Sequence, residues 1–174
     1  MYKLKVNTYK NFPSEGIVFI DLTPSLFDKE LFNEIVERIC KTIPDDIDYI
    51  ISPESRGFIY GGPTATKKGI GFIPVRKLGK YPESLITKAE YNTEYSTDIL
   101  SILSEDLKGK RVWFVDDIFA TGGTLNSSKQ IVSKLGGEVI GATCIYDIGI
   151  VETNENIYFL FNKDELEILR AIEL

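Results

Sequence analysis

The stretch "RVWFVDDIFATGGTL", residues 111–125, decides how the chain is to be read. An apolar run stops at two adjacent carboxylates, Asp116 and Asp117. A loop of small residues follows, Ala120-Thr121-Gly122-Gly123-Thr124. Apolar positions 125, 131, 132 and 135 then recur at helical spacing, and Gly136-Gly137 stops that helix. The pattern is a buried strand, 112–117, that ends on two acids and turns into a helix. In open α/β sheets ligands bind at the carboxyl ends of strands. The loop therefore offers the free N–H groups and positive dipole end of a helix. Gly122 and Gly123 let the backbone curl about an anion, Thr121 and Thr124 add hydroxyl donors, and Thr124 is the expected N-cap. This is a phosphate cradle, and no Gly-x-x-x-x-Gly-Lys of the Walker type occurs. Carboxylates beside a phosphate need something between. A sugar with vicinal hydroxyls serves, and so does a magnesium ion. A ribose whose 5-phosphate sits in the loop fits the site.

Outward from this stretch the chain alternates strand and helix. Residues 12–24, punctuated by Pro and Gly, read as a loop or short strand. Apolar residues at 27, 31, 32, 35, 36 and 39 predict a helix. "IDYIIS", 47–52, is a buried strand, 56–69 a weaker helix and 70–77 a strand, which suggests a parallel crossover unit. Residues 78–98 are polar without strong periodicity and read as a long, weakly structured segment. Strands are expected at 138–148 and, as the last one, at 156–161. The predicted fold class is α/β, a mainly parallel sheet flanked by helices, in a single domain over 1–174.

Composition bounds the function. The chain has 174 residues, 43% apolar and 26% charged, with net charge −6, so no basic face for nucleic acid or acidic lipid is expected. No run of eighteen apolar residues predicts a membrane span, and the first residues lack the apolar core of a signal peptide. Cys40 and Cys144 sit among apolar residues and are expected to be buried thiols in the reducing cytoplasm. Histidine is absent, which removes His-containing triads, His–metal sites and histidine acid–base chemistry.

"VWFVDDIFATGGTL" resembles the 5-phosphoribosyl-1-pyrophosphate (PRPP) motif of the type I phosphoribosyltransferases. "NFPSEGIVFIDLTPSL", "SRGFIYG", "GIGFIPVRKLGK" and "EYSTDIL" resemble blocks of the adenine enzymes of that family, in the family's order over residues 11–147. The resemblance implies a type I phosphoribosyltransferase fold with a flexible catalytic loop at 78–98 and a small hood over the base site. It implies that adenine and PRPP give AMP and pyrophosphate with Mg²⁺, in a homodimer. Asp116 and Asp117 take the ribose and residues 120–124 the 5-phosphate. Ser55 and Arg56 lie in a segment similar to the family's pyrophosphate loop. Leaving pyrophosphate calls for cations, which Arg76, Lys77 and Lys80 supply; the two lysines also read as a solvated edge. Lys88 either closes over the phosphates or is a surface lysine. Glu94 aligns with the acid that assists proton movement on the purine, or it anchors the loop.

For the base, the backbone of Val18 and Ile20 would read the ring edge, and Phe19 would stack on it or belong to the core. Arg56 would stack on the other face and Ile148 would cover the ring. Enzymes for 6-oxopurines commonly place a lysine after the fifth strand, and "YDIGIVETN", 146–154, has none, which favours adenine. The chain departs from the family's pattern at Ile20, where Arg is usual, at Ser96, where Gly is more common, and over 148–174. Two alternatives stay open: a phosphoribosyltransferase for a 6-oxopurine, and a non-catalytic PRPP sensor.

Overall fold

The computed structural model describes residues 2–92, 97–151 and 156–174. The first third holds β1 (Leu4–Lys10), β2 (Val18–Asp21), α1 (Thr23–Leu26) and α2 (Lys29–Thr42). The middle holds β3 (Tyr49–Pro53), α3 (Arg56–Lys68), β4 (Gly71–Lys77), β5 (Ile86–Asn92) and β6 (Thr97–Leu103). The rest is β7 (Arg111–Phe119), α4 (Gly123–Lys134), β8 (Glu138–Asp147), β9 (Ile157–Phe161) and β10 (Leu166–Glu173). Seven strands form one sheet in the order β5-β6-β4-β3-β7-β8-β9. From β4 to β9 the pairing is parallel, and β6 and β5 add an antiparallel edge.

Both faces of the sheet's centre are covered. Trp113 and Val115 join a core with Ile35 and Ile39 of α2 and Tyr60 of α3. Val112 and Phe114, which alternate with them, join a second core with Leu125, Ile131 and Val132 of α4. A strand buried on both sides needs no polar alternation, which is why 112–115 reads as a continuous apolar run. Helix α2 follows the expected stripe from Leu31 onward, burying Leu31, Ile35, Val36 and Ile39, but Phe27, expected at its start, lies before the helix and is exposed. Its N-cap is Asp28, whose carboxylate accepts from the Glu30 and Leu31 N–H groups and pairs with Lys5 at 2.8 Å.

A second sheet, β10-β1-β2, is the hood. The sequence reading placed β2 in a loop or short strand, missed β1 and took 156–161 as the last strand; β10 follows it and runs parallel to β1. Only Leu166 of β10 is partly buried, and the rest of the strand is exposed. Main-chain pairing with β1 defines it, so no burial pattern marks it in the sequence. Three other expectations change. The segment 78–98 was read as weakly structured, yet its described part contains β5, paired with β6 from Ile86↔Leu103 onward. Strand β7 does not end at the acids but continues to Phe119, opposite Asp147. Cys144 is buried, whereas Cys40 is only half-buried; both thiols are free.

Trp113 fixes the packing of β7 on β8. Its Nε1 donates to Thr143 Oγ1 at 2.9 Å, and its ring lies close against Gly141. A Cβ there would stand 2.6 Å from two ring carbons and 2.8 Å from the Asn156 carbonyl oxygen. Overpacking of this kind costs about 1–3 kcal/mol. Gly141→Ala should therefore lower the urea midpoint of unfolding by that equivalent, and an unchanged midpoint would remove the constraint.

Candidate active site

The parallel strands bring their carboxyl ends to one rim, and three groups of residues gather there. The first follows β7. Residues 120–124 line a small cavity of about 70 Å³ with Asp116, Phe119 and Cys144. Gly122 is the N-cap of α4, at φ 77, where a side chain would be strained and a Cβ would meet Phe119 at 3.1 Å. The expected N-cap Thr124 is instead inside the helix, and its carbonyl accepts from Ser128 Oγ. Gly122 has no side chain to cap α4; the Gly123 N–H makes a long contact of 3.5 Å with Thr121 Oγ1 at the cavity.

The two acids are adjacent and close, but their neighbours differ. Asp116 faces the cradle, and its Oδ1 accepts the Asp117 N–H at 2.8 Å. Burial first, then the neighbouring Asp117 charge, pushes the Asp116 carboxyl well above the usual range, against the pull of the Asp117 N–H and of Arg56. Asp117 is 4% exposed and faces α3. Its Oδ1 accepts the Ile118 N–H, and Arg56 Nε stands 2.7 Å from its Oδ2. That N–H is not aimed at the oxygen, so Oδ2 has no aligned donor. The first turn of α3 can lie this close because residue 57 is glycine. A Cβ on Gly57 would sit 2.7 Å from Pro53 and 3.0 Å from Asp116 Oδ1.

The second group is the hood contact. The Arg56 guanidinium lies over the Phe19 ring, 5.1 Å from its centroid. Phe12 meets Phe19 edge-on at 5.4 Å and Tyr9 lies 6.4 Å away. Arg56 thus spans from the hood to Asp117. Ile20 turns its side chain into the core beside α2, whereas Val18 is exposed. Because β2 is the outer strand of the hood sheet, it keeps one unpaired backbone edge. Ile148 is partly exposed at the end of β8, with its N–H on the Phe119 carbonyl.

The third group lies at the ends of β3 and β4. Ser55 is the exposed N-cap of α3, without a side-chain cap bond. Arg76 donates to Glu54 Oε2 at 2.7 Å and lies over the Tyr81 ring. Burial pushes the Glu54 carboxyl up, but the Arg76 bond, the Lys77 N–H and the charges of Arg76 and Lys80 outweigh it and hold it below the usual range. Among the described residues no cluster of three or more Cys, Asp or Glu could cage a metal ion.

Of the expected site residues, the structure brings Asp116 and 120–124 into one cavity, joins Phe19, Arg56 and Asp117 in a chain of contacts, and sets Arg76 and Lys80 about Glu54. It does not bring Lys88 there. That residue lies on the edge strand β5, where Lys134, at the far end of α4 from the cradle, donates to its carbonyl. Glu94 lies outside the described residues, as does Ser96. Sequence reasoning missed Glu54, Gly57, Tyr9 and Phe12. Glu54 carried a signal, an acid beside expected cations; Tyr9 and Phe12 reach the site only through strand pairing.

This arrangement can be set beside known proteins. The phosphoribosyl transferase domain family matches residues 25–167. The adenine phosphoribosyltransferase of Thermotoga petrophila is 43% identical over 149 residues, 84% of this chain and 87% of that protein. A crystal structure of adenine phosphoribosyltransferase from Thermoanaerobacter pseudethanolicus aligns with TM-score 0.84 at 38% identity, covering 90% of this chain and 95% of that one. The Saccharomyces cerevisiae enzyme, complexed with an imino-altritol bisphosphate and adenine, aligns with TM-score 0.78 at 33% identity, over 90% and 94%. On the match over 25–167 and the fold shared with these structures, the chain belongs to the phosphoribosyltransferase family.

Proposed function

We infer that the chain, acting as one domain, transfers the 5-phosphoribosyl group of PRPP to adenine, giving AMP and pyrophosphate. The observation that carries this is the line of sites across the end of β7: an anion cradle on one side, an aromatic–guanidinium pair on the other, and a carboxylate facing each. A ribose 5-phosphate with a base at its C1 has that length order. The relatives named above bear the name of this activity, and one was crystallised with adenine.

In this reading the N–H groups and hydroxyls of 120–124 hold the 5-phosphate at the positive end of α4. Asp116 and Asp117 accept the ribose hydroxyls. Pyrophosphate lies against Ser55, the start of α3 and the cations Arg76, Lys77 and Lys80, which exchange Glu54 for the diphosphate. Adenine stacks on Phe19, with Arg56 moving to its other face and the open edge of β2 at Val18 and Ile20 supplying directed hydrogen bonds. Ile148 covers the ring. The bond from C1 to the diphosphate oxygen breaks, a bond from C1 to the purine nitrogen forms, and the proton of that nitrogen leaves to Glu94. The ring edge at 146–154 offers no lysine for a 6-oxo group.

The described residues offer no protein cage for magnesium. Asp117 already faces Arg56, and burial holds the Asp116 carboxyl well above the usual range. They fit an ion that arrives on the diphosphate and keeps its water, which Mg²⁺ does. Such an ion would screen the charge leaving with pyrophosphate. Exposed Leu78, Leu85 and Leu103 near the β5–β6 edge support a homodimer. Two free thiols, and the fact that among the described residues no helix is long and apolar enough to cross a membrane, support a cytoplasmic site of action.

Two measurements test this. Purified chain with PRPP and magnesium should release pyrophosphate with adenine and not with hypoxanthine, guanine or xanthine. Turnover with a 6-oxopurine instead would mean that the pocket about 18–20 and 146–154 is cut for another base. Second, Asp116→Asn removes a charge that burial disfavours. A carboxyl raised in the folded state contributes its stability below its unfolded value and loses it as pH rises through the folded one. The thermal midpoint of the variant should therefore gain on the original protein as pH rises from 4 to 8, while turnover falls about tenfold or more because an amide replaces the carboxyl that meets the ribose. A midpoint that drops with rising pH would contradict the assignment.

A further inference from the structure

Tyr60 stands one turn beyond Arg56 on α3 and is used by none of the steps above. It is 2% exposed, and its ring packs edge-on against Phe32 of α2 at 5.8 Å. Phenylalanine would fill that space equally well. The hydroxyl, however, is buried and has no hydrogen-bond partner among the described residues. A buried O–H without a partner is costly and calls for a reason.

Its surroundings supply one. Besides burial, which dominates, the charges felt by the phenol are those of Asp117, Arg56 and Asp21. Asp21 already serves others: its Oδ1 accepts from the Thr23 N–H and hydroxyl. Asp117 differs. Its Oδ2 is buried and also lacks an aligned donor, although Arg56 Nε stands beside it. Two complementary orphans, one O–H and one carboxylate oxygen, thus lie on the facing elements α3 and β7. Arg56 also lies over the Phe19 ring, so its guanidinium is shared between the two sites. Removing the partner of a buried charge is strongly destabilising unless another donor replaces it.

We propose that Tyr60 is a positioning residue for Asp117: when Arg56 leaves, the Tyr60 hydroxyl donates to Asp117 Oδ2 and keeps that carboxylate turned to the ribose hydroxyls. The inference deepens the proposed reaction and depends on it. It makes Tyr60 matter for PRPP and not for the base, and it gives the chain a second donor at a site where one cation must serve two positions in turn.

The test is Tyr60→Phe in the full chain, which keeps the ring and deletes the donor. The dissociation constant of PRPP, by calorimetry with magnesium, should rise about ten- to a hundredfold, the range for one hydrogen bond to a charged group. The KM for adenine should stay within about twofold, since no contact with the base is lost. In an Asp117→Asn background the same change should add nothing, because the acceptor charge is gone. Unchanged PRPP affinity, an equal loss for adenine, or the same loss in both backgrounds would each overturn the proposal, the last two by making Tyr60 a packing or base-site residue. Failure of the unsubstituted chain to turn over adenine and PRPP would instead refute the reaction itself.

Discussion

Because β7 has protein on both faces, its residues 112–115 must be apolar without interruption, and a charged side chain can appear on it only where the helices cease to cover it. Asp116 and Asp117 mark that place. The same burial makes them unusual carboxylates: one is held well above the usual range and the other faces a guanidinium. Asp116 lines the cradle at α4 and also comes close to the first turn of α3, while Asp117 faces Arg56 of α3. A ligand that satisfies both must cross the strand end, and that crossing defines the site.

A second regularity concerns the cations at the rim. Each cation aimed at the rim stands on an acid of the rim: Arg56 beside Asp117, Arg76 on Glu54, with Lys80 contributing its field. In the proposed reaction a phosphorylated sugar would exchange these partners and would not meet bare charges. The net gain of such an exchange is smaller than the sum of the new contacts, since old ones are given up. What it confers is order. In that reaction the acids would be released to hydroxyls as the cations pass to phosphate and base.

Much of this was legible in the residues. The run Val112–Val115, the acid pair and the small-residue loop announced strand, rim and helix start, because each owes its form to local rules of burial and backbone freedom. Helix α2 was legible in its apolar stripe. What escaped was decided by pairing. Strand β10 exposes nearly all its side chains, so only its hydrogen bonds to β1 define it. Strand β5 sits in a polar segment and is fixed by β6. Thr124 looked like a cap because its hydroxyl suits one, yet the chain turns a residue pair earlier, at the left-handed Gly122. Lys88 looked like a phosphate ligand because it lies in the segment that resembles the family's catalytic loop; the sheet carries it to the far end of α4. Glu54 and Phe12 could not be placed without knowing which strand ends meet.

The account turns on one contact, the approach of Arg56 to Asp117, and on its being exchanged for a sugar. A crystal structure of the chain soaked with AMP measures this directly. The account predicts that the ribose hydroxyls occupy Asp117 and that the Arg56 guanidinium has left the carboxylate, with the purine lying on Phe19. AMP seated in the cradle with Arg56 Nε still 2.7 Å from Asp117 Oδ2 would contradict it.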